Sequence, residues 1–141
     1  MRKAKPVVLD ANILIRGILG VNVPRLINQY CNQIDFFTAE CCYEDVRKHL
    51  PAILEKRGVT PDLAMEALDH LTRIVWPIEK DVYTACEDEA KRRIEKRDED
   101  DWHVVALALT LECPIWTEDK DFFGTGVATW HSGNIEVYLS S

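Results

Sequence analysis

The segment at 104–111, VVALALTL, is apolar around nearly the whole circumference of a helix, and it is the strongest constraint on how this chain can fold. A helix without a polar face must be buried. The acidic run at 98–101 precedes it and predicts where the helix begins. A chain of 141 residues is long enough to build a core around such a helix, and we expect one domain covering residues 1–141.

Short apolar runs alternate with helical patterns through the rest of the chain. Strands are predicted at 6–9, 35–39, 74–78 and 114–117, with strand-like runs also at 127–130 and 135–139. Helices are predicted at 11–20, 23–33, 40–56, 62–74 and 80–97. Strands that alternate with helices predict an α/β fold, with a parallel β-sheet as the middle of three layers and helices on both faces.

Two of the predicted helices carry features that the structure can test. Pro51 lies inside 40–56 and predicts either a kink or a break between two shorter helices. The helix 80–97 is predicted to be one long amphipathic element, and its inward stripe consists of Val82, Cys86, Ala90 and Ile94.

Charge and cysteine content limit the classes of function. Lys and Arg number 17 against 24 Asp and Glu, a formal net charge of −7, which argues against binding nucleic acid through a broad basic surface. A nuclease with clustered acids is still allowed. The five cysteines show neither CxxC nor zinc spacing, which indicates a reduced, cytoplasmic protein. The longest apolar run is too short for a bilayer, so no membrane association is expected.

Three acidic residues occupy positions where the predicted fold can bring them together. Asp10 ends the strand 6–9, Asp119 follows the strand 114–117, and Asp101 lies in the first turn of the buried helix. Each alone has an ordinary structural role, as a helix cap or a turn residue. The carboxyl ends of parallel strands share one edge of a sheet, however, and clustered carboxylates repel each other unless a cation neutralises them. Oxygen ligands favour Mg²⁺, Mn²⁺ or Ca²⁺ over zinc.

A fourth acid is expected from the helix 40–56. Its inward stripe is Cys42, Val46, Leu50 and Ile53, and Asp45 lies on the flank of that stripe while Glu44 points further toward solvent. We therefore prefer Asp45 and keep Glu44 as the alternative.

These residues resemble the PIN-domain nucleases, and especially the VapC-like ribonuclease toxins of bacteria. The resemblance runs through VVLDANIL at 7–14, EDVRKHL at 44–50 and RDEDDWHVVALALTLECPIWTEDKDFFGTG at 97–126, in that order. It implies a cluster of metal-binding acids made of Asp10, Asp101 and Asp119. It also implies that Asp45 or Glu44 takes a position where the family usually has Glu. Members of the family are often homodimers, so a homodimer is expected here as well.

The resemblance also assigns supporting roles. Asn12 and Thr117 match polar positions that support the acids by hydrogen bonding, and Asp98 and Asp121 are accessory candidates. The implied activity is Mg²⁺- or Mn²⁺-dependent hydrolysis of single-stranded or structured RNA. The implied biological role is the toxin of a toxin–antitoxin pair, with an antitoxin protein as partner.

Two other functions compete with this prediction. The first is a non-catalytic PIN-like scaffold that binds RNA or protein. The second is a HAD-like phosphotransferase, which is disfavoured because Asn12 stands where that family needs a second Asp. The sequence also lacks a P-loop, a GxGxxG motif and a Ser-His-Asp arrangement.

Overall fold

A computed structural model describes residues 4–94 and 101–141. Its centre is a five-stranded sheet in which every neighbouring pair is parallel, in the order β3-β2-β1-β4-β5. The strands are β1 (Lys5–Leu9), β2 (Ile34–Ala39), β3 (Val75–Ile78), β4 (Ile115–Trp116) and β5 (Thr129–Trp130). The predicted α/β fold with a parallel sheet flanked by helices is confirmed.

Seven of the described helices form two groups, and in each group the helices pack around one central helix. The first group packs around α1 and comprises α1 (Ala11–Leu19), α2 (Asn22–Tyr30), α3 (Glu40–Arg57) and α4 (Pro61–Ile74). The second group packs around α7 and comprises α5 (Lys80–Tyr83), α6 (Glu87–Ile94) and α7 (Trp102–Leu111). A final helix, α8 (Ile135–Ser140), contacts α2.

The order of the strands creates a switch point beside β1. The chain adds β2 and β3 on one side of β1, then crosses back and adds β4 and β5 on the other side. Val8 of β1 is in register with Phe37 of β2 and with Ile115 of β4. In open sheets of this kind, ligands bind outside the carboxyl ends of the strands at such a switch point.

The buried helix predicted at 104–111 is confirmed. The six residues of α7 that are buried are Trp102, Val104, Val105, Ala106, Leu107 and Ala108. The helix contacts β1 and β2, and α6 lies beside it. It ends where Glu112 adopts a left-handed backbone conformation, φ 53°.

The prediction of one long helix at 80–97 is wrong over the part that the structure describes. A 3₁₀ turn at Thr84–Cys86 separates α5 from α6. Val82, predicted to point inward, is 54% exposed, and Tyr83 is buried in its place. A 3₁₀ turn has three residues per turn, so it shifts the phase of the helical stripe and allows Ala90 and Ile94 to be buried as predicted.

The strand-like run at 135–139 is also a wrong prediction, because it forms α8. Ile135 and Leu139, four residues apart, are buried, whereas Val137 is exposed. A strand would place all three on one face. The hydroxyl of Tyr138 donates a hydrogen bond to the carbonyl of Pro6 in β1 at 2.6 Å, which anchors the helix against the sheet.

Pro51 does not divide its helix. α3 is continuous from Glu40 to Arg57, so the alternative of two shorter helices is wrong. Proline has no N–H, so the carbonyl of Arg47 loses its partner within the helix. Both Pro51 and Arg47 are exposed. In the two described ranges, no helix is both long and apolar enough to cross a membrane.

Candidate metal centre

The predicted acids lie at the carboxyl ends of β1 and β4, beside the switch point. Asp10 follows directly after β1, and the backbone N–H of Asp10 donates to the carbonyl of Trp116 at 3.4 Å. Asp119 follows β4 by three residues, and Asp101 immediately precedes α7. The parallel pairing of β1 with β4 is thus what brings residues more than 100 positions apart to one edge.

Asp10 is 4% exposed and is held from two sides. One carboxylate oxygen, Oδ1, accepts the backbone N–H of Ile13 at 2.9 Å and so caps α1. The other, Oδ2, accepts a hydrogen bond from the hydroxyl of Thr117. The capping role predicted as the structural alternative is confirmed, and it leaves the carboxylate beside the other acids.

Burial is the main influence on the charge of Asp10. It raises the pKa of the carboxyl group from 3.8 to about 6, although the hydrogen bonds from Thr117 and Ile13 oppose the shift. The nearby charges of Asp119 and Glu118 raise it further. A positive charge placed here would stabilise the ionised form.

Thr117 links the acids of the two strands. Its buried hydroxyl donates to Asp10 and accepts the backbone N–H of Asp119 at 2.9 Å. Oδ1 of Asp119 in turn accepts the backbone N–H of Asp121 at 2.9 Å and caps a short 3₁₀ helix at Lys120–Phe122. This chain of hydrogen bonds orients Asp10 and Asp119 relative to each other.

Three carboxylates converge at this edge. Asp101, Asp119 and Asp121 each offer an oxygen atom, and these atoms all lie within 4.8 Å of one another. All three residues are partly buried, and Oδ2 of Asp101 is fully buried. The side chain of Asp101 makes no capping hydrogen bond to the first turn of α7. Asp121, predicted only as an accessory residue, lies within this cluster, whereas Asp98 falls outside the described residues.

A cavity of about 290 Å³ joins Asp10 to two members of this cluster. Asp45 of α3 lines the cavity, and Glu44 is not among the described residues that do so. Asn12, which follows Asp10 in the first turn of α1, lines it as well. The complete lining is Asp10, Ala11, Asn12, Cys41, Cys42, Asp45, Lys48, His49, Asp101, Val104 and Asp119.

Sequence reasoning missed several residues of this wall. Lys48 and His49 follow Asp45 by three and four positions, so all three occupy one face of α3, a spacing that could have indicated them. Cys41 and Cys42, at the start of α3, also line the wall. Cys42 is buried, and its hydrogen bond with Cys41 together with burial raises the pKa of its thiol well above the usual range.

The donor set is suited to a hard divalent cation. Asp101, Asp119 and Asp121 present carboxylate oxygens, the ligand type that Mg²⁺ and Mn²⁺ prefer. A cation would also offset the repulsion among acids held this close. The residues therefore fit the metal that the acid pattern predicts.

Comparison with known proteins agrees with the fold. The family model described as PIN domain matches residues 8–140, nearly the whole chain. No curated protein sequence matches the chain.

A solved structure shows the same architecture. The crystal structure of VapBC2 from Rickettsia felis bound to a DNA fragment from their promoter contains a chain that is similar with a TM-score of 0.66 and 10% sequence identity. The match covers 89% of this chain and 98% of that chain. At 10% sequence identity, the similarity to that chain establishes a shared fold and nothing more. The family match rests on the sequence itself and spans almost every residue described above: this chain belongs to the PIN-domain family.

Proposed function

We propose that this protein is a metal-dependent endoribonuclease that hydrolyses phosphodiester bonds of single-stranded or structured RNA. The observation that carries the proposal is the convergence of carboxylate oxygens from Asp101, Asp119 and Asp121 within 4.8 Å, next to the buried Asp10. The PIN-domain membership of the chain supports a nuclease.

Asp101, Asp119 and Asp121 would hold Mg²⁺ or Mn²⁺, with Asp10 beside them. When bound, such a cation lowers the pKa of a coordinated water and neutralises charge on the phosphate. The hydroxyl of Thr117 keeps Asp10 and the Asp119 backbone in a fixed relation. Lys48 brings a positive charge to the cavity wall, where it can attract the substrate phosphate. Val104 contributes an apolar part of the wall.

We further propose that the protein is the toxin of a toxin–antitoxin pair, acting in the cytoplasm as a homodimer with an antitoxin as partner. The fold it shares with a chain of the VapBC2 structure supports this role. The five cysteines are free, which suits a reducing compartment. Arrest of growth on expression, relieved by co-expression of an antitoxin, would support the toxin role. Unchanged growth would contradict it without bearing on RNA cleavage.

The first experiment is cleavage of a mixed RNA pool in Mg²⁺ or Mn²⁺ by the wild type and Asp101→Asn. We expect wild-type cleavage and a loss of about 100-fold or more in the variant, because loss even of residues that only support metal ligands costs about 10–100-fold. Asp62→Asn, on the exposed first turn of α4, is the matched control and should retain full activity.

Two outcomes would contradict the proposal. Full activity of a folded Asp101→Asn protein would show that the acid cluster is not the metal centre. RNA binding without cleavage by the folded wild type would instead favour the non-catalytic scaffold.

A second pair of variants identifies the fourth acid. Asp45 lines the cavity with Asp10, Asp101 and Asp119, so Asp45→Asn should lower kcat by about tenfold or more. Glu44→Gln removes the same charge one residue away and should leave kcat unchanged. The reverse result would assign the role to Glu44.

A further inference from the structure

A second, larger cavity adjoins the acidic one. It has a volume of about 900 Å³, and Asn12 and Asp119 line both cavities. These two residues therefore form the boundary between the two cavities. The complete lining of the larger cavity is Asn12, Ile15, Arg16, Gly20, Ile53, Lys56, Arg57, Glu118 and Asp119. We call this space the basic groove.

The basic groove gathers positive charge from two helices. Arg16 lies in the last turn of α1, and Lys56 and Arg57 lie in the last turn of α3. The chain as a whole carries a net charge of −7, so three cations in one groove do not follow from its composition. Within the described ranges, the close ion pairs lie on α6 and involve none of these three cations.

The acids of the basic groove are already engaged. Asp119 belongs to the carboxylate cluster. An oxygen of Glu118 accepts the backbone N–H of Ser132 at 2.6 Å. This bond holds Glu118 to Ser132, and the three cations of the lining outnumber its two acids.

A simpler explanation covers only part of this arrangement. Cations in the last turn of a helix offset the partial negative charge of its terminal carbonyls, and this accounts for each of the three residues singly. It does not account for the meeting of two helix ends in one groove that opens beside the acidic cavity.

We propose that the basic groove binds the phosphate backbone of the substrate strand on one side of the bond that is cut. This inference rests on the proposed nuclease function. The strand would pass from the acidic cavity over Asn12 and Asp119 into contact with Arg16, Lys56 and Arg57. No described residue of the groove lining is aromatic, so binding rests on charge rather than on base stacking and should tolerate any base there.

The test measures binding without cleavage. Fluorescence anisotropy in EDTA follows a labelled random pool of single-stranded RNA of about 12 nucleotides, a length within the usual range of site sizes. Salt is varied from about 50 to 200 mM, because the slope of log K against log salt is about −0.7 for each phosphate neutralised on a single strand. A DNA pool of the same length shows whether the phosphate alone or also the ribose is recognised.

Four groove variants are compared with a matched control. Arg16→Gln, Lys56→Gln and Arg57→Gln should each weaken binding several-fold and reduce the magnitude of the slope by about 0.7, and the triple variant by about 2. The control, Arg25→Gln, removes the same charge from an exposed position on α2, where Arg25 contacts Asn22, and should bind as the wild type does.

The outcomes separate this inference from the proposed function. Unchanged affinity and slope in the triple variant, an equal loss in Arg25→Gln, or no binding of either pool by the wild type would overturn it. If the wild type cleaves RNA while the triple variant binds normally, the groove assignment is wrong and the nuclease stands. If groove variants lose binding while the wild type cleaves nothing, the groove is an RNA-binding surface, and both the nuclease and the groove's role beside a cut bond are wrong.

Discussion

Two effects act in opposite directions on the carboxylate of Asp10: burial destabilises its ionised form, and hydrogen bonds stabilise that form. The carboxylate caps α1 and accepts the hydroxyl of Thr117, so the side chain is fixed in place. The same position removes it from water and raises its pKa to about 6. An ionised carboxylate at a buried position destabilises the metal-free protein, and a cation in the adjoining cluster would relieve that cost.

The stability of the metal-free protein should therefore depend on the ionisation of Asp10. Because the folded-state pKa of about 6 exceeds the ordinary 3.8, folding favours the protonated form. The stabilisation is complete below pH 4 or so and is lost as the pH rises through about 6. Two pKa units correspond to about 3 kcal/mol at most.

Asp10→Asn removes this titration. Urea unfolding in EDTA should show the variant gaining stability relative to the wild type as the pH rises from about 4 to about 7, by about 1–3 kcal/mol. Comparison of the two proteins cancels the contributions of the other acids. A stability difference that stays constant over this pH range would show that Asp10 is not the titrating group.

At the scale of elements, α8 shows how a short pattern acquires its structure from its surroundings. The run IEVYL alternates apolar and polar residues as a strand would, yet Ile135 and Leu139 are buried as in a helix. Contacts with distant residues hold it: Tyr30 donates to Glu136 at 2.7 Å, and Lys5 donates to the carbonyl of Ser141 at 2.9 Å.

Paired truncations in α8 test this assignment. Leu139 is buried and Val137 is 63% exposed. Leu139→Ala should lower the free energy of unfolding by about 2–5 kcal/mol, because it leaves a cavity in the core. Val137→Ala should change it by no more than about 0.5 kcal/mol. Similar losses from both substitutions would indicate that residues 137 and 139 share one buried face, as in a strand.

At the scale of the whole molecule, the strand order places the site. β1 lies in the middle of the sheet and pairs with β2 on one side and β4 on the other. Asp10 at the end of β1 and Asp119 beyond β4 therefore meet at the switch point, and α7 brings Asp101 to the same edge. α3 adds Asp45 from the other group of helices.

A centre assembled from separate elements should couple metal binding to folding. Mg²⁺ at about 100 times its Kd should raise the free energy of unfolding by about 2.7 kcal/mol, because it binds the folded state only. Asp119→Asn should abolish most of this gain, while Asp62→Asn on α4 should retain it. Thermal unfolding at constant ionic strength measures the effect, and an equal gain in Asp119→Asn would contradict the assigned ligand set.

The sequence by itself determined the α/β class and the places of Asp10, Asp101 and Asp119. Buried strands of four or five apolar residues are recognisable, and the residue that ends each strand must lie at the sheet edge. The uniformly apolar body of α7 left no alternative to burial.

Only the tertiary structure decided how these residues meet. The contact of Thr117 with Asp10 depends on the pairing of β1 with β4, and the place of Asp121 in the cluster depends on a 3₁₀ turn after Asp119. The meeting of Arg16 with Lys56 and Arg57 depends on how α1 packs on α3. Periodicity reports which face of an element is buried, but the partners on that face are set by packing between distant segments, which no local pattern encodes.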